Sequence, residues 1–349
     1  MKKNYIFSEV VNLTLKEIMK SNSKTVLFGL GVDDPKGIFG TTKDLKEIFG
    51  KERVFDMPAS ENAMTGVAIG MSLNKMIPIM NHQRMDFFLL AMDQLINNAA
   101  KWKYMFGGQQ KTPIIIRLIV GRGWGQGPTH SQNFQNMFAS IPGLKIYIPS
   151  FPSTVRNILH AAVKSSDPVL IIEHRWLHYM SEKIDFKINP KKIDYIKKIK
   201  NGKDLTIVSS SYSTFEILKL YDDLKKSNIT IDHLDINLLK PFNIDLLYNS
   251  VKKTGKLLIL DNSVHKYCSF GGHLIAELVS RKKNIFKKEP INLNLPDVPS
   301  PTSYHLSKNF YYNSEDICKE IGKLLNKTIK LTKNIYKHDI PDPEFRGPF

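Results

Sequence analysis

The sequence predicts an α/β fold built from two open, largely parallel α/β domains. Three features point there. From residue 25 to about 180, apolar strand-like runs alternate with helical patterns, as in a parallel sheet covered on both faces by helices. A second series of the same kind runs from 205 to about 325, after a Lys-rich stretch of low periodicity. With 349 residues the chain is also too long for one comfortable domain. The expected boundaries are a first domain at 1–180, a linker at 181–203, a second domain at 204–326 and a Pro-rich C-terminal arm at 327–349.

Residues 4–20 read as an amphipathic helix, followed by strands at 25–29 and 53–57. Residues 61–73 have helical spacing, with Gly66 and Gly70 four apart on one face. A short strand follows at 78–80. The segment 86–106 predicts one long helix, with apolar positions at Phe87, Leu90, Ala91, Leu95, Ala99 and Trp102. Residues 114–120 form a continuous β-branched apolar run, the mark of a strand buried on both faces. Strand 145–149, helix 153–164 and strand 168–173 complete the first series. The second has strands at 205–209, 229–235, 256–261 and 291–295, with helices near 213–226, 244–252, 272–281 and 314–325.

Composition excludes several classes. Hydrophobic residues at 42% and charged ones at 24% rule out a disordered or collagen-like chain. Lys and Arg number 50 against 33 Asp and Glu, a net charge of +17. That excess is spread as single lysines and short pairs, which suits solvated faces. No nucleic-acid-binding motif accompanies it. The 2 cysteines, Cys268 and Cys318, have no metal or disulfide spacing. The apolar N-terminal stretch is broken at Ser8, Glu9, Lys16 and Glu17, so it lacks a secretory core. No run approaches the roughly 20 apolar residues of a membrane span. The expectation is a soluble cytoplasmic protein with neither a nucleic-acid nor a membrane partner.

Parallel α/β sheets bind ligands outside the carboxyl ends of their strands. Three loops of the first domain leave such ends: 58–62, 81–84 and the glycine-rich 121–131 (GRGWGQGPTHS). None is a phosphate cradle of the GxGxxG or GxxxxGK[ST] kind. Glu61 and His130 stand out as a carboxylate and an imidazole on separate loops. Each has a plainer explanation: a Glu at a helix start favours the helix dipole, and a loop histidine is often simply exposed.

The stretches RVFDMPASENAMTGVAIGMSLNKMIPIM, DFFLLAMDQLINNAAKWKYMFGG, GQGPTHSQNFQNMFASIPGLKIYIPSFPS and SSDPVLIIEHRWLHYM follow one another in order. Together they resemble the β subunit of thiamine-diphosphate-dependent 2-oxoacid dehydrogenases. The second half, with HLDINLLKPFNIDLLYNSVKKTGKLLILDNS, resembles the C-terminal domain shared with transketolases. The likeness spans about residues 5–325. It implies that Glu61 faces a pyrimidine nitrogen of thiamine diphosphate, opposite the exocyclic amine, and promotes the amine's imino tautomer. It implies that Phe87 stacks on the pyrimidine and that His130 handles protons near the substrate. It also implies a structural potassium ion held mainly by backbone carbonyls, at positions matching Ile114, Ala162, Val163, Ser165 and Asp167. Ser165 and Asp167 depart from the residues expected there.

The magnesium-diphosphate motif of this superfamily begins Gly-Asp-Gly, and Asp-Gly occurs nowhere in this chain. The resemblance therefore implies that a partner α subunit supplies the magnesium and diphosphate half of the site, normally in an α₂β₂ assembly. Other departures bear on the reaction. Gly29-Leu30-Gly31-Val32 replaces an acidic motif, Asn81 replaces a glutamate, and Gly127–His130 reads G-P-T-H, as in transketolases. His82, Arg84 and Arg175 would suit an anionic or hydroxylated substrate; surface or interface salt bridges are the plainer role for the two arginines. The leading expectation is decarboxylation of a 2-oxoacid with acyl transfer to the lipoyl group of an acyltransferase. The basic charge weakens docking to such a partner, whose binding module is commonly basic. The alternatives are a two-chain transketolase-like or non-oxidative decarboxylating enzyme acting on a sugar or sugar phosphate, and a catalytically inactive assembly subunit.

Overall fold

A computed structural model of the chain describes residues 2–122, 127–263 and 267–332. These fall into two compact units. The first takes residues 2–121 and 138–193, the second 122–137 and 194–332.

The first unit contains β1 (Lys3–Ile6), β2 (Thr25–Gly29), β3 (Val54–Asp56), β4 (Ile77–His82), β5 (Ile115–Val120), β6 (Lys145–Tyr147), β7 (Val169–His174) and β8 (Ser181–Ile184). Six of them form a parallel arrangement in the order β6-β7-β5-β4-β2-β3. Every residue of β2, β5 and β7 is buried, which explains their unbroken apolar runs. β4 extends further than 78–80. Its register places Asn81 opposite Arg117 and His82 opposite Leu118, so both belong to the strand and not to the loop after it.

The N-terminal helix covers Phe7–Ser21 and buries Phe7, Val10, Val11, Thr14, Leu15, Ile18 and Met19. The residues before it form β1, which pairs antiparallel with β8. The helix Glu61–Leu73 has the bounds its periodicity predicts. The long helix expected at 86–106 is instead a broken series: an α turn at Met85–Phe88, a 3₁₀ turn at Leu89–Ala91, a π turn at Gln94–Ala99 and an α-helix at Ala100–Met105. The apolar face shifts with it. Phe88, Ala91, Leu95, Ala99 and Ala100 are buried, whereas Leu90 is 69% exposed. A π turn admits an extra residue and brings the adjacent Ala99 and Ala100 both inward. Asn97 and Asn98, weak helix formers, bond to the side chains of Asp93 and Gln94 at 2.8 and 3.0 Å.

The second unit contains β9 (Ile196–Lys200), β10 (Leu205–Ser209), β11 (Ile231–Ile236), β12 (Leu238–Lys240), β13 (Leu257–Leu260) and β14 (Ile291–Leu293). Its sheet runs β14-β13-β10-β11-β9, parallel except for β9. The segment 181–203, read from sequence as a linker, thus supplies β8 to one unit and β9 to the other. In IKKIK the lysines of β9 hid the strand: charged residues are how an edge strand resists further pairing. Residues 213–226 form two helices, Tyr212–Lys219 and Tyr221–Lys226. These pack with Asp245–Thr254, Phe270–Arg281 and Ser314–Leu325 about the sheet. One core cluster joins Leu205, Ile207 and Ile231 of the strands to Ile217, Leu224, Ile317 and Ile321 of the helices. A short helix at Tyr304–Phe310 has no counterpart in the sequence reading. The arm expected at 327–349 lies outside the described residues from 333 onward.

The helix Ser314–Leu325 begins with a reciprocal cap. The Asn313 side chain accepts from Glu315 N and Asp316 N at 2.7 and 3.2 Å, and Asp316 Oδ2 accepts from Asn313 N at 2.9 Å. Asn313→Ala is expected to cost about 1 kcal/mol in urea unfolding with an unchanged m-value. A loss below about 0.3 kcal/mol would show the cap to be dispensable.

Candidate active site

Across β4, β5 and β7 of the first unit, three neighbours share one ionic layer. Arg117 on β5 donates from Nε to Glu173 Oε1 at 2.6 Å and from Nη2 to Glu173 Oε2 at 2.8 Å. Its Nη1 donates to Asn81 Oδ1 at 2.7 Å. Parallel register explains the meeting. Asn81 stands opposite Arg117, and Arg117 opposite Ile171, two residues before Glu173 on the same face of β7. Arg117 and Glu173 are wholly buried. Burial alone would raise the Glu173 carboxyl, but the charge and hydrogen bonds of Arg117 prevail and hold it at about 2. His178 Nε2 lies 3.5 Å from Glu173 Oε2. Burial pushes its imidazole down to about 4, against the pull of Glu173.

Around this layer the loops are clamped. Asp56, at the end of β3, accepts from the backbone N–H groups of Gly31, Val32 and Asp33 at 3.1, 2.5 and 3.4 Å. Gly29 allows the β2 end to lie against β4, since a Cβ there would stand 2.2 Å from the Asn81 carbonyl oxygen. Glu61 opens the helix Glu61–Leu73 and is 7% exposed. Its carboxyl group has no hydrogen-bond partner among the described residues. Phe87 is half-buried in the turn Met85–Phe88.

His82 is fully buried against Phe88, with ring centroids 4.9 Å apart. Neither ring nitrogen has a partner among the described residues, and burial lowers its pKa to about 3. Arg84 and Arg175, 8% and 1% exposed, both face the Phe39 ring, at 5.5 and 4.3 Å from its centroid. Burial, then the like charge of Arg175, lowers Arg84 to about 10. Phe39 itself has a φ of 58°, rare for a bulky residue. The two arginines are therefore interior groups and not surface ion pairs.

His130 stands on the second unit, in the turn Gly127–His130. Its Nδ1 is 2.7 Å from Thr129 Oγ1, and the side chain is half-buried. The sequence reading places 121–131 in the first domain; by contacts, 122–137 clusters with the second unit. The physical cause is local. Asn133 and Gln135 donate to Asn262 Oδ1 at 3.3 and 3.0 Å, and Asn136 donates to Asp261 and Ser263. A Cβ on Gly127 would lie 2.5 Å from Thr302 N, so only glycine permits this approach. Residues 123–126 of the glycine-rich loop lie outside the described residues.

Glu61 and Phe87, the residues the family resemblance assigns to the pyrimidine end of thiamine diphosphate, lie on separate elements of the first unit, the helix Glu61–Leu73 and the turn Met85–Phe88. For magnesium, no group of three His, Cys, Asp or Glu side chains converges among the described residues. At the positions matched to potassium, Ile114 O accepts from Val169 N at 2.9 Å and Ala162 O from Ser165 N at 3.0 Å. Val163 closes the helix Pro152–Ala162, and Asp167 and Ser165 are bonded to lysines. Sequence reasoning missed Arg117, Glu173, Asp56 and Phe39. An arginine inside the apolar run IIIRLIV was the one available signal, because a charge in a buried strand needs a partner.

Comparison with known proteins matches residues 4–179 to the family described as Transketolase, pyrimidine binding domain, and residues 194–317 to Transketolase, C-terminal domain. The pyruvate dehydrogenase E1 component subunit beta of Porphyra purpurea is 31% identical over 95% of this chain and 100% of its own length. That of Rickettsia bellii is 29% identical, over 90% and 97%. The acetoin:2,6-dichlorophenolindophenol oxidoreductase subunit beta of Cupriavidus necator is 31% identical, over 87% and 90%. A solved structure titled split gene transketolase, inactive beta4 tetramer, superposes with a TM-score of 0.73 at 22% identity, covering 93% of this chain and 100% of that one. It shares the fold.

Two outcomes follow from the buried charges. His178 and His82 titrate near 6.5 when unfolded and at about 4 and about 3 when folded. Between those values the unfolded chain binds more protons, so stability falls as the pH drops below 6.5. Urea unfolding at a series of pH values should lose about 1.4 kcal/mol per pH unit for each buried histidine. His82→Leu should make that slope shallower; an unaltered slope would mean that His82 is not buried neutral. Glu173 extends the loss, as the pH falls from 4.5 towards about 2. Arg117→Met strands the Glu173 charge and should destabilise by about 3–5 kcal/mol.

Proposed function

Since this chain belongs to the transketolase-type family that includes the β subunits of pyruvate and acetoin dehydrogenases, we propose that it is the β subunit of a thiamine-diphosphate-dependent 2-oxoacid dehydrogenase. Its substrate is a 2-oxoacid, which is decarboxylated, and its acyl unit passes to a lipoyl disulfide. That disulfide is the oxidant and is reduced to an acyl thioester and a thiol. An α subunit completes the enzyme in an α₂β₂ assembly, and it contributes the magnesium and diphosphate contacts for which this chain has no Asp-Gly motif.

Thiamine diphosphate supplies, when bound, a carbon nucleophile and an electron sink. The chain's own residues orient and tune it. Glu61 offers its carboxyl group to a pyrimidine ring nitrogen, and Phe87 gives the ring an aromatic face. His130 holds or releases a proton at the substrate oxygen. Arg84 and Arg175 put two like charges about one phenyl ring, and an anionic substrate group would offset their repulsion. Arg117 and Glu173 touch no reactant in this scheme; they position the ends of β4, β5 and β7. The single observation behind the proposal is Glu61, a buried residue at a helix start whose carboxyl group has no hydrogen-bond partner among the described residues.

A second reading, ketol transfer between sugars or sugar phosphates, is favoured by the same arginine pair and by G-P-T-H at Gly127–His130. Reductive acylation of a lipoyl domain by the reconstituted αβ enzyme separates the two. Acylation with a 2-oxoacid supports the dehydrogenase, whereas ketol transfer to aldehydes without acylation replaces it. In either reaction Glu61→Ala should lower turnover by at least about 10²-fold while the protein stays folded. Undiminished turnover would remove Glu61 from the mechanism.

A further inference from the structure

The turn 163–168 joins the helix Pro152–Ala162 to β7 and carries the positions that the family resemblance assigns to a potassium ion. Two ammonium groups converge on it from elsewhere in the first unit. Lys103, on the helix Ala100–Met105, places Nζ 2.7 Å from Asp167 Oδ1 and 2.9 Å from Ser166 Oγ. Lys145, the first residue of β6, places Nζ 3.2 Å from Asp167 Oδ2 and 3.1 Å from Ser165 Oγ. Each carboxylate oxygen of Asp167 therefore has its own cation. The Ser165 hydroxyl is engaged as well. It accepts from Asp167 N at 3.1 Å and donates to the Asp167 carbonyl oxygen at 2.9 Å.

We propose that Lys103 and Lys145 take the place of the monovalent metal ion in this protein, and that the turn binds no potassium. An ammonium group carries the same single charge as a potassium ion and adds three directed donors. A metal ion needs several oxygen atoms with lone pairs turned towards it. Here the Ser165 hydroxyl and both Asp167 oxygens already face ammonium groups, and a third cation would meet two like charges at close range. The exchange also changes what the site ties together. A metal ion would bind segments that already lie beside the turn, whereas the lysines tether it to the helix Ala100–Met105 and to the start of β6. The family likeness says where to look; the proposed reaction plays no part, so its failure would leave this inference standing.

Thermal unfolding of the full chain in KCl, NaCl and choline chloride at equal ionic strength tests the proposal. Midpoints should agree within about 1 °C, because no potassium is bound to the folded state. A midpoint higher in KCl than in the other salts by more than about 2 °C would overturn it. The double variant Lys103→Met with Lys145→Met should unfold at a lower temperature in every salt; an unchanged midpoint would show that the lysines hold nothing. Crystals grown with rubidium or thallium give a direct reading. An anomalous peak among Ile114, Ala162 and Asp167 would refute the substitution, and none at that turn would support it.

Discussion

A guanidinium, a carboxylate and an amide lie side by side on three neighbouring strands of the first unit, with no water-facing surface on the ion pair. Taking two such charges out of water costs several kcal/mol per ion, and that cost is offset only when geometry and hydrogen bonding are close to ideal. The fork of Arg117 meets both oxygens of Glu173 and keeps a third donor for Asn81, so the condition is met. It holds for one register of β4, β5 and β7 and fails for its neighbours. A one-residue slip would turn each of these side chains to the opposite face of the sheet. The layer therefore pins the register of the three strands, and with it the positions of Arg84 and Arg175, which follow β4 and β7.

Polar groups are used differently at two levels of the same unit. In the Arg117 layer the two charges are fully paired, and only the Asn81 Nδ2 is left without a partner among the described residues. Beyond it, His82 is buried with both ring nitrogens unbonded among the described residues. Such unused capacity is costly to maintain in a folded protein. Phe39, whose ring faces Arg84 and Arg175, carries a further cost in its positive φ.

The net charge of +17 is partly structural. Arg117, Arg84 and Arg175 are interior, and Lys103 and Lys145 hold a turn. In the second unit Lys253 and Lys198 bond to the buried Asp232 at 2.8 and 3.3 Å. Composition alone counts all of these as solvated charge.

Local signals carried much of the protein. The apolar runs at β2, β5, β7 and β10 identified the core strands, and 3.6-residue spacing bounded the helices Glu61–Leu73 and Ser314–Leu325. These are properties of contiguous residues, so the sequence by itself determined them. Ordered motifs likewise carried the family resemblance, which nominates Glu61, Phe87 and His130. Tertiary structure decided the partners. Arg117 meets Glu173 across 56 residues and Asn81 across 36, contacts that no local pattern encodes. It also decided that a Lys-rich stretch becomes two edge strands, that a π turn shifts the apolar face at Ala99 and Ala100, and that 122–137 packs with Asp261, Asn262 and Ser263. Strand register and side-chain pairing are fixed by burial against distant segments, and that information exists only once the chain has folded.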